Sequence, residues 1–521
     1  MKTIATIGLL FAIGVGVNLT YGRRGFLPLD QSIVFDGGWR LMSGQVPFRD
    51  FVAPSGIVPS AIQAGFFRAL GVTWFAYCLH ASIVNGLFGV AVYGLLRLCG
   101  STRLEAAAFG ALSTFFFYPP TGTPFMDQHS FFFMTLMFLA AAAGSTATGL
   151  PELAAWFAVP VLFTLGYASG QIPMAFGAVC VAVWVALHPR RAARWMAAIA
   201  AGIVAVGAGL LVVHAAWPMD WKAAWHYSVT LPLQVAGDRT ARPGAAGPLR
   251  MVLATLVRFP FWIKLWSLDL ALLAAIPVML LLRRSQRWSL QTWTLVSLVV
   301  TTAAFLAFTR TLWQTGLALT MAVVAVAIVM VRESLPAAVA TPLIVIIGLA
   351  AVRDTAVFVA TVVGPRLEHL QYDPDEAARA AGHLPPGLEF MRWSPGPSQL
   401  DADQLTALVR FLRDADGNFL LLGDASILYG LASKPSVGPV LWFDPRLTMP
   451  HPDAPEFVRF ERELLERVRT HNVRRIVLDR SKTWTNLTIQ HFPAIIGITK
   501  GGACGEQSFG GARVLEICPD S

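Results

Sequence analysis

For its first two thirds the chain alternates long apolar runs with short polar joints, and then its period changes. Runs long enough to cross about 30 Å of hydrocarbon as helices fall near residues 3–20, 74–98, 104–118, 128–147, 152–169, 172–188, 195–216, 260–282, 290–308, 312–331 and 337–352. They predict about eleven transmembrane helices. Beyond about residue 366 the apolar runs shorten, and Pro385, Pro386, Pro395 and Pro397 punctuate a linker. Amphipathic helices are then expected over 401–414 and 456–470, buried strands over 418–422 and 473–478, and a short helix over 424–431. The pattern predicts a polytopic α-helical membrane protein over residues 1–365, with a large first outer loop at 21–73, and a soluble α/β domain over 366–521.

Composition supports this division. Hydrophobic residues make up 55% of the 521 positions and charged residues 14%, against roughly a quarter charged in soluble proteins. A net charge of +9 would suggest nucleic acid in a soluble chain, but here many of the basic residues cluster beside apolar runs, where they orient helices. Nucleic acid is therefore set aside as a partner. Arg97 with Arg103, His188 to Arg191 with Arg194, Arg283 with Arg284 and Arg287, and Arg332 all fall on one side when eleven helices are threaded. That side is expected to be cytoplasmic. The N-terminus is then inside a bacterial cytoplasmic membrane, and the loops at 21–73, 119–127, 217–259 and 309–311, with everything after about 353, lie outside. The run that follows Met1 and Lys2 has no small-residue cleavage pattern after it and reads as the first span.

Two features go against the ordinary pattern. The first outer loop carries Arg23, Arg24, Arg40, Arg49 and Arg68 on the translocated side, and binding an anion is one reason to keep them there. Of the five cysteines, Cys78, Cys99 and Cys180 sit in or beside apolar runs, whereas Cys504 and Cys518 lie in the outer tail, where oxidising conditions would permit a disulfide. No CxxC or Cys/His cluster marks a metal site.

The most informative stretch runs from Leu29-Asp30-Gln31 through Asp36 and Arg40 to Gly44-Gln45-Val46-Pro47-Phe48-Arg49-Asp50-Phe51. It has an acid just after the first helix, a short amphipathic helix, and then G-x-V-P-F-R-D-F. This resembles bacterial GT-C glycosyltransferases, relatives of protein O-mannosyltransferases and lipid A aminoarabinose transferases, which often carry D-E at the start of this loop and G-x-x-P-Y-R-D-F at its end. The resemblance implies an enzyme moving a hexose or pentose from a polyprenyl-phosphate-linked donor to a lipid, glycan or protein acceptor of the cell envelope. It also implies membrane lipids as surroundings.

Such a transferase must take a proton from an acceptor hydroxyl, which a carboxylate at the membrane's outer edge can do as general base. By matching position Asp30 is the candidate base; its structural alternative is a helix N-cap. Gln31 departs from the acid pair of the family. Asp36, one and a half turns on, is either part of the site or on a solvated face, and Asp50 either serves the site or pairs with Arg49. In the second outer loop Asp127 is the other candidate catalytic acid, placed to orient the acceptor or bind a cation, and His129 could donate to phosphate; capping is again the alternative. A divalent cation is left open, although Asp-x-His supplies too few ligands for a dedicated site.

The leaving phosphate needs cationic stabilisation, and Arg49, Lys222, Arg239, Arg242 and Arg310 all map to outer loops. Relatives carry Lys-Gln near the outer end of a middle helix, where this chain has Gly170-Gln171. The third outer loop mixes Trp221, Trp225, His226 and Tyr227 with cations, as sugar and phosphate recognition requires, although interfacial aromatics also form ordinary membrane belts. Direct displacement with one base implies inversion at the anomeric carbon. The rival reading is a transporter, disfavoured because the spans carry few charges beyond Asp269 and show no half-repeat. A non-catalytic envelope-assembly protein is the third.

Overall fold

The computed structural model describes residues 2–234, 267, 271, 275, 289–309, 317–365, 372–394, 400–445, 447–479 and 488–518. Within them the apolar runs are helices: α1 (Lys2–Gly22), α4 (Trp74–Leu98), α5 (Arg103–Phe116), α6 (Met126–Thr146), α7 (Leu150–Tyr167), α8 (Gln171–Ala186), α9 (Pro189–Ala216), α11 (Leu290–Thr309), α12 (Thr320–Ser334) and α13 (Ala337–Phe358, continued by a wider π turn over Val359–Val363). Six described helices are long and apolar enough to cross a membrane, and α8 and α11 are shorter apolar helices. The 260–282 window falls outside the described residues except for Ser267, Ala271 and Ala275, which are helical, and Asp269, Arg239, Arg242, Arg283, Arg284, Arg287 and Arg310 lie outside them as well. α12 begins eight residues later than its window at 312.

Small residues let these helices close up. A Cβ on Gly14 of α1 would stand 2.7 Å from Gly86 Cα in α4, so the two backbones approach as closely as glycine permits. Asn85 fills the same seam, its amide donating to Gly14 O at 2.8 Å and Thr114 O at 3.1 Å, which joins α1, α4 and α5. At its start α5 is closed by a reciprocal pair of bonds between Thr102 and Glu105, and Arg332 of α12 grips the Glu105 carboxylate at 2.6 Å.

The first loop is a folded layer. α2 (Asp30–Met42) and α3 (Val58–Leu70) pack on each other through Gly37 and Gly38, where a Cβ would collide with Ser60 and Gln63. The tail rests on this layer. It comprises α14 (Pro374–Ala380), α15 (Ala402–Asp414), β1 (Asn418–Leu422), α16 (Ile427–Leu431), α17 (Glu456–Thr470), β2 (Val473–Asp479), α18 (Pro493–Thr499), β3 (Glu506–Phe509) and β4 (Ala512–Glu516), with short α10 (Trp221–Trp225) lying earlier, after α9. The sheet order is β1-β2-β4-β3, with β1 and β2 parallel and the remaining pairs antiparallel.

Both faces of this sheet are covered, which explains the nearly unbroken apolar runs of β1 and β2. Phe419, Leu421, Val477 and Val514 face α15, α16 and the first-loop residues Val34, Phe35 and Phe67, while Leu420, Ile476, Leu478 and Leu515 face α17 and α18. The tail and the first loop therefore share one apolar core. Cys504 and Cys518 are joined in a disulfide, with Cα atoms 5.3 Å apart.

Candidate active site

Asp30 opens α2 a few residues beyond the end of α1. The N-cap position there is Leu29, which makes no side-chain cap bond, so Asp30 is the first helical residue. Asp127 likewise follows an uncapped start of α6, whose N-cap is Phe125. Gln31 fixes their relative position: its side-chain oxygen accepts from Leu27 N at 2.7 Å and its amide donates to Thr121 O at 2.8 Å. The buried Gln31 thus fastens the loop after α1 to the loop before α6. Asn18 adds a bond from α1 to Gly122 O at 3.1 Å, and a Cβ on Gly22 would meet that same carbonyl at 2.4 Å.

The charges of Asp30 and Asp127 act on each other, and that of Asp30 also reaches Asp424 in the tail. Asp424 and Asp479 follow or end the parallel strands β1 and β2, the edge at which open α/β sheets place ligands. The strand ends nearly touch, since a Cβ on Gly423 would stand 2.3 Å from Asp479 Cβ. Burial, together with Asp479, Asp30 and Asp444, pushes the Asp424 carboxyl from its ordinary 3.8 to about 7. The sequence pattern gives only a short helix over 424–431 here and marks neither Asp424 nor Asp479; their position at strand ends is the signal that points to them.

Gly170, where the resemblance expects a lysine, borders the same place. A Cβ there would lie 3.5 Å from Asp127 Oδ1, and its carbonyl accepts from Ser130 Oγ at 2.6 Å. Gln171 turns away to donate to Pro54 O at 2.7 Å.

Other candidates are engaged elsewhere. Asp36 does not lie on a solvated face: it is wholly buried, one carboxylate oxygen accepting from Arg40 Nε at 2.7 Å and the other from Ser436 Oγ at 2.5 Å. Burial raises its pKa against the opposing pull of Arg40 and Ser436. Arg40 continues to Gly438 O at 2.7 Å and Val440 O at 3.3 Å, so the pair clamps α2 to the tail. Arg49 and Asp50 pair at 2.8 Å with both side chains partly exposed. Burial lifts the Asp50 pKa, but Arg49, the Val46 N–H and Arg467 outweigh it and hold it below its ordinary value. Beside them Phe48 sits in the left-handed region at φ 61°, its N donating to Phe51 O at 2.7 Å. The G-x-V-P-F-R-D-F turn is thus held by its own aspartate and backbone.

His129 is buried, with Nε2 against His80 and Nδ1 against Tyr118 and Phe125 O. Lys222 and His226 lie exposed on α10 and the π turn after it, and neither is among the groups whose charges act on Asp127 or Asp424. Arg239 and Arg310 are outside the described residues. Among the described residues no three His, Cys, Asp or Glu side chains converge as metal ligands.

Apolar helices, a folded first loop with an acid shortly after the first helix, and a sandwiched α/β tail seated on that loop make up the architecture. The chain is similar to two crystal structures of ArnT from Cupriavidus metallidurans, a lipid A aminoarabinose transferase, one in the apo state and one bound to undecaprenyl phosphate. Each superposes with a TM-score of 0.58 over 99% of this chain, covering 98% and 97% of the respective ArnT chains, at 10% sequence identity. The likeness is one of fold. No family model matches the sequence, and no curated protein matches it at the level of sequence.

Proposed function

We propose that this chain transfers a sugar from a polyprenyl-phosphate-linked donor to a cell-envelope acceptor at the outer face of a bacterial cytoplasmic membrane, with Asp30 as general base. The observation that carries this is the Asp30 carboxylate at the start of α2, within charge reach of Asp127 and Asp424, in a chain with the ArnT fold. The acceptor hydroxyl gives its proton to Asp30 while its oxygen bonds to the anomeric carbon. The bond from that carbon to the phosphate oxygen breaks, and the electron pair leaves with the lipid phosphate. Attack opposite the leaving group inverts the centre. Asp127 orients the acceptor, and Asp424, only partly ionised near neutral pH, lessens the repulsion that three ionised acids would offer an anionic donor.

The undecaprenyl phosphate bound by the ArnT structure supports a lipid-phosphate donor here. Arg49, Lys222, Arg239 and Arg310 are the cations proposed to meet the departing phosphate. The sharing of His129 between His80 and Tyr118 favours a supporting role for that residue behind Asp127. Residues 1–365 form the transmembrane module, with about eleven spans and the N-terminus inside, and 366–521 the outer α/β domain. The Cys504–Cys518 disulfide supports an oxidising compartment for the tail.

Purified protein given labelled lipid-linked sugar and an envelope extract tests the reading. Label appearing on an envelope lipid, glycan or protein supports it. Tracer crossing liposomes with no covalent transfer would replace it with a carrier.

A further inference from the structure

Three arginines meet where two apolar spans end. Arg23 and Arg24 follow the last turn of α1, and a backbone bridge pins Arg392 of the tail beside them: Arg392 N donates to Arg23 O at 2.7 Å and Gly25 N to Arg392 O at 2.8 Å. Arg24 Nη1 donates to Gly364 O at 3.1 Å, one residue past the end of the α13 span. The ends of α1 and α13, two helices long and apolar enough to cross a membrane, therefore lie together.

Aromatic rings frame the cluster. The Arg24 guanidinium stands over Tyr21 at 4.6 Å and Tyr372 at 5.4 Å, and that of Arg23 over Phe390 at 5.6 Å. These contacts orient the guanidiniums without neutralising them. Among the described residues none of the ion pairs includes Arg23, Arg24 or Arg392. The groups acting on Arg23 there are Arg392, Arg24, Tyr372 and Cys78, with no carboxylate; burial first, then the two arginines, lower its pKa. The Nε atoms of Arg23 and Arg24 are buried without a partner. Like charges gathered by a backbone bridge repel, and an anion shared among them removes that cost. They also lie on the side of the membrane that the threading makes external, against the usual distribution of basic residues.

We propose that Arg23, Arg24 and Arg392 bind the phosphate of an anionic phospholipid head group. The lipid would rest its acyl chains against the outward faces of α1 and α13 and its phosphate in the arginine cluster. Because Arg392 comes from the tail, the lipid also fastens the tail to the membrane surface. This site is separate from the acids around Asp30 and does not depend on the transferase reading.

Native mass spectrometry of the full chain, taken from bilayers of mixed phosphatidylglycerol and phosphatidylcholine, tests it. The wild type is expected to retain phosphatidylglycerol over phosphatidylcholine by at least about tenfold, since each basic group near an anionic surface contributes a few-fold. The triple variant Arg23→Gln, Arg24→Gln, Arg392→Gln should lose that preference, and the corresponding triple lysine variant should keep most of it. Should the glutamine triple fail to insert, Arg392→Gln alone, on the exposed tail surface, is expected to lower retention about threefold. Equal retention by wild type and Arg392→Gln would overturn the proposal. So would displacement of all bound lipid by inorganic phosphate that then stays bound itself, which would make the site one for free phosphate.

Discussion

His80 Nε2 and His129 Nε2 lie 2.9 Å apart, both rings closed to solvent. One order of donors runs along these four side chains, with no hydrogen left on His129 Nδ1 for Phe125 O at 3.0 Å: the Tyr118 hydroxyl donates to His129 Nδ1 at 2.6 Å, His129 Nε2–H donates to His80 Nε2, and His80 Nδ1–H donates to Gln63 Oε1 at 2.9 Å. Phe66 stacks on His80 with ring centroids 5.1 Å apart. Since Gln63 packs against Gly38, the relay connects the α6 start to the underside of α2, the helix that begins with Asp30.

His129→Leu would leave the His80 nitrogen and the Tyr118 hydroxyl without their partner. Each buried polar group so stranded costs about 1–3 kcal/mol. A clear fall in the thermal midpoint of the detergent-solubilised protein is expected, with donor binding by the folded fraction retained. Unchanged stability with donor binding lost would instead make His129 a phosphate ligand.

The Asp36–Arg40 clamp gives a second expectation. Removing one partner of a buried ion pair strands the other and costs about 3–5 kcal/mol, so Asp36→Asn should lower the thermal midpoint and expose the junction between α2 and the tail to protease. Asp36→Leu with Arg40→Met, which removes both charges, should recover part of the loss. A stable Asp36→Asn with impaired sugar binding would return Asp36 to the substrate site.

How much of this was legible follows from how each contact is made. Asp30, Asp127 and the strand at 418–422 sit in local patterns: a loop motif after a span, a helix start, an apolar run buried on both faces. β3 and β4 escaped because β3 is largely exposed, with only Phe509 half-buried, and neither strand gives a long apolar run. The burial of Asp36 is not legible locally, because a helical wheel assigns its polar side to water, whereas Ser436 bonds it and Gly438 and Val440 hold its partner Arg40, some four hundred residues later. Asp424 and Asp479 come together through the parallel pairing of β1 and β2, and no local spacing records that.

The Asp424 carboxyl, held at about 7 against an ordinary 3.8, makes stability depend on pH. The folded state keeps a proton that the unfolded chain gives up, so the contribution is fully present below about 3.8 and is lost as pH rises through about 7. Asp424→Asn removes the dependence. The variant should match the wild type near pH 4 and exceed it in thermal midpoint at pH 8. A gap that does not grow across that range would show that Asp424 is ionised in the fold.

The sharpest expectation concerns Asp30→Asn. Asparagine keeps the shape of aspartate and serves equally well at a helix start, so the variant should fold, insert and bind donor. It cannot accept the acceptor's proton, so transfer should fall at least about a hundredfold. Asp127→Asn and Asp424→Asn, assayed beside it, separate the base from its neighbours: as orienting and charge-relieving groups they should reduce transfer less than Asp30→Asn does. A loss of transfer in Asp30→Asn at unchanged thermal midpoint and unchanged donor binding separates a chemical role from a structural one. Near-normal turnover there, with transfer abolished in one of the other two, would move the base to that carboxylate. Near-normal turnover in all three would remove carboxylate base catalysis from this site.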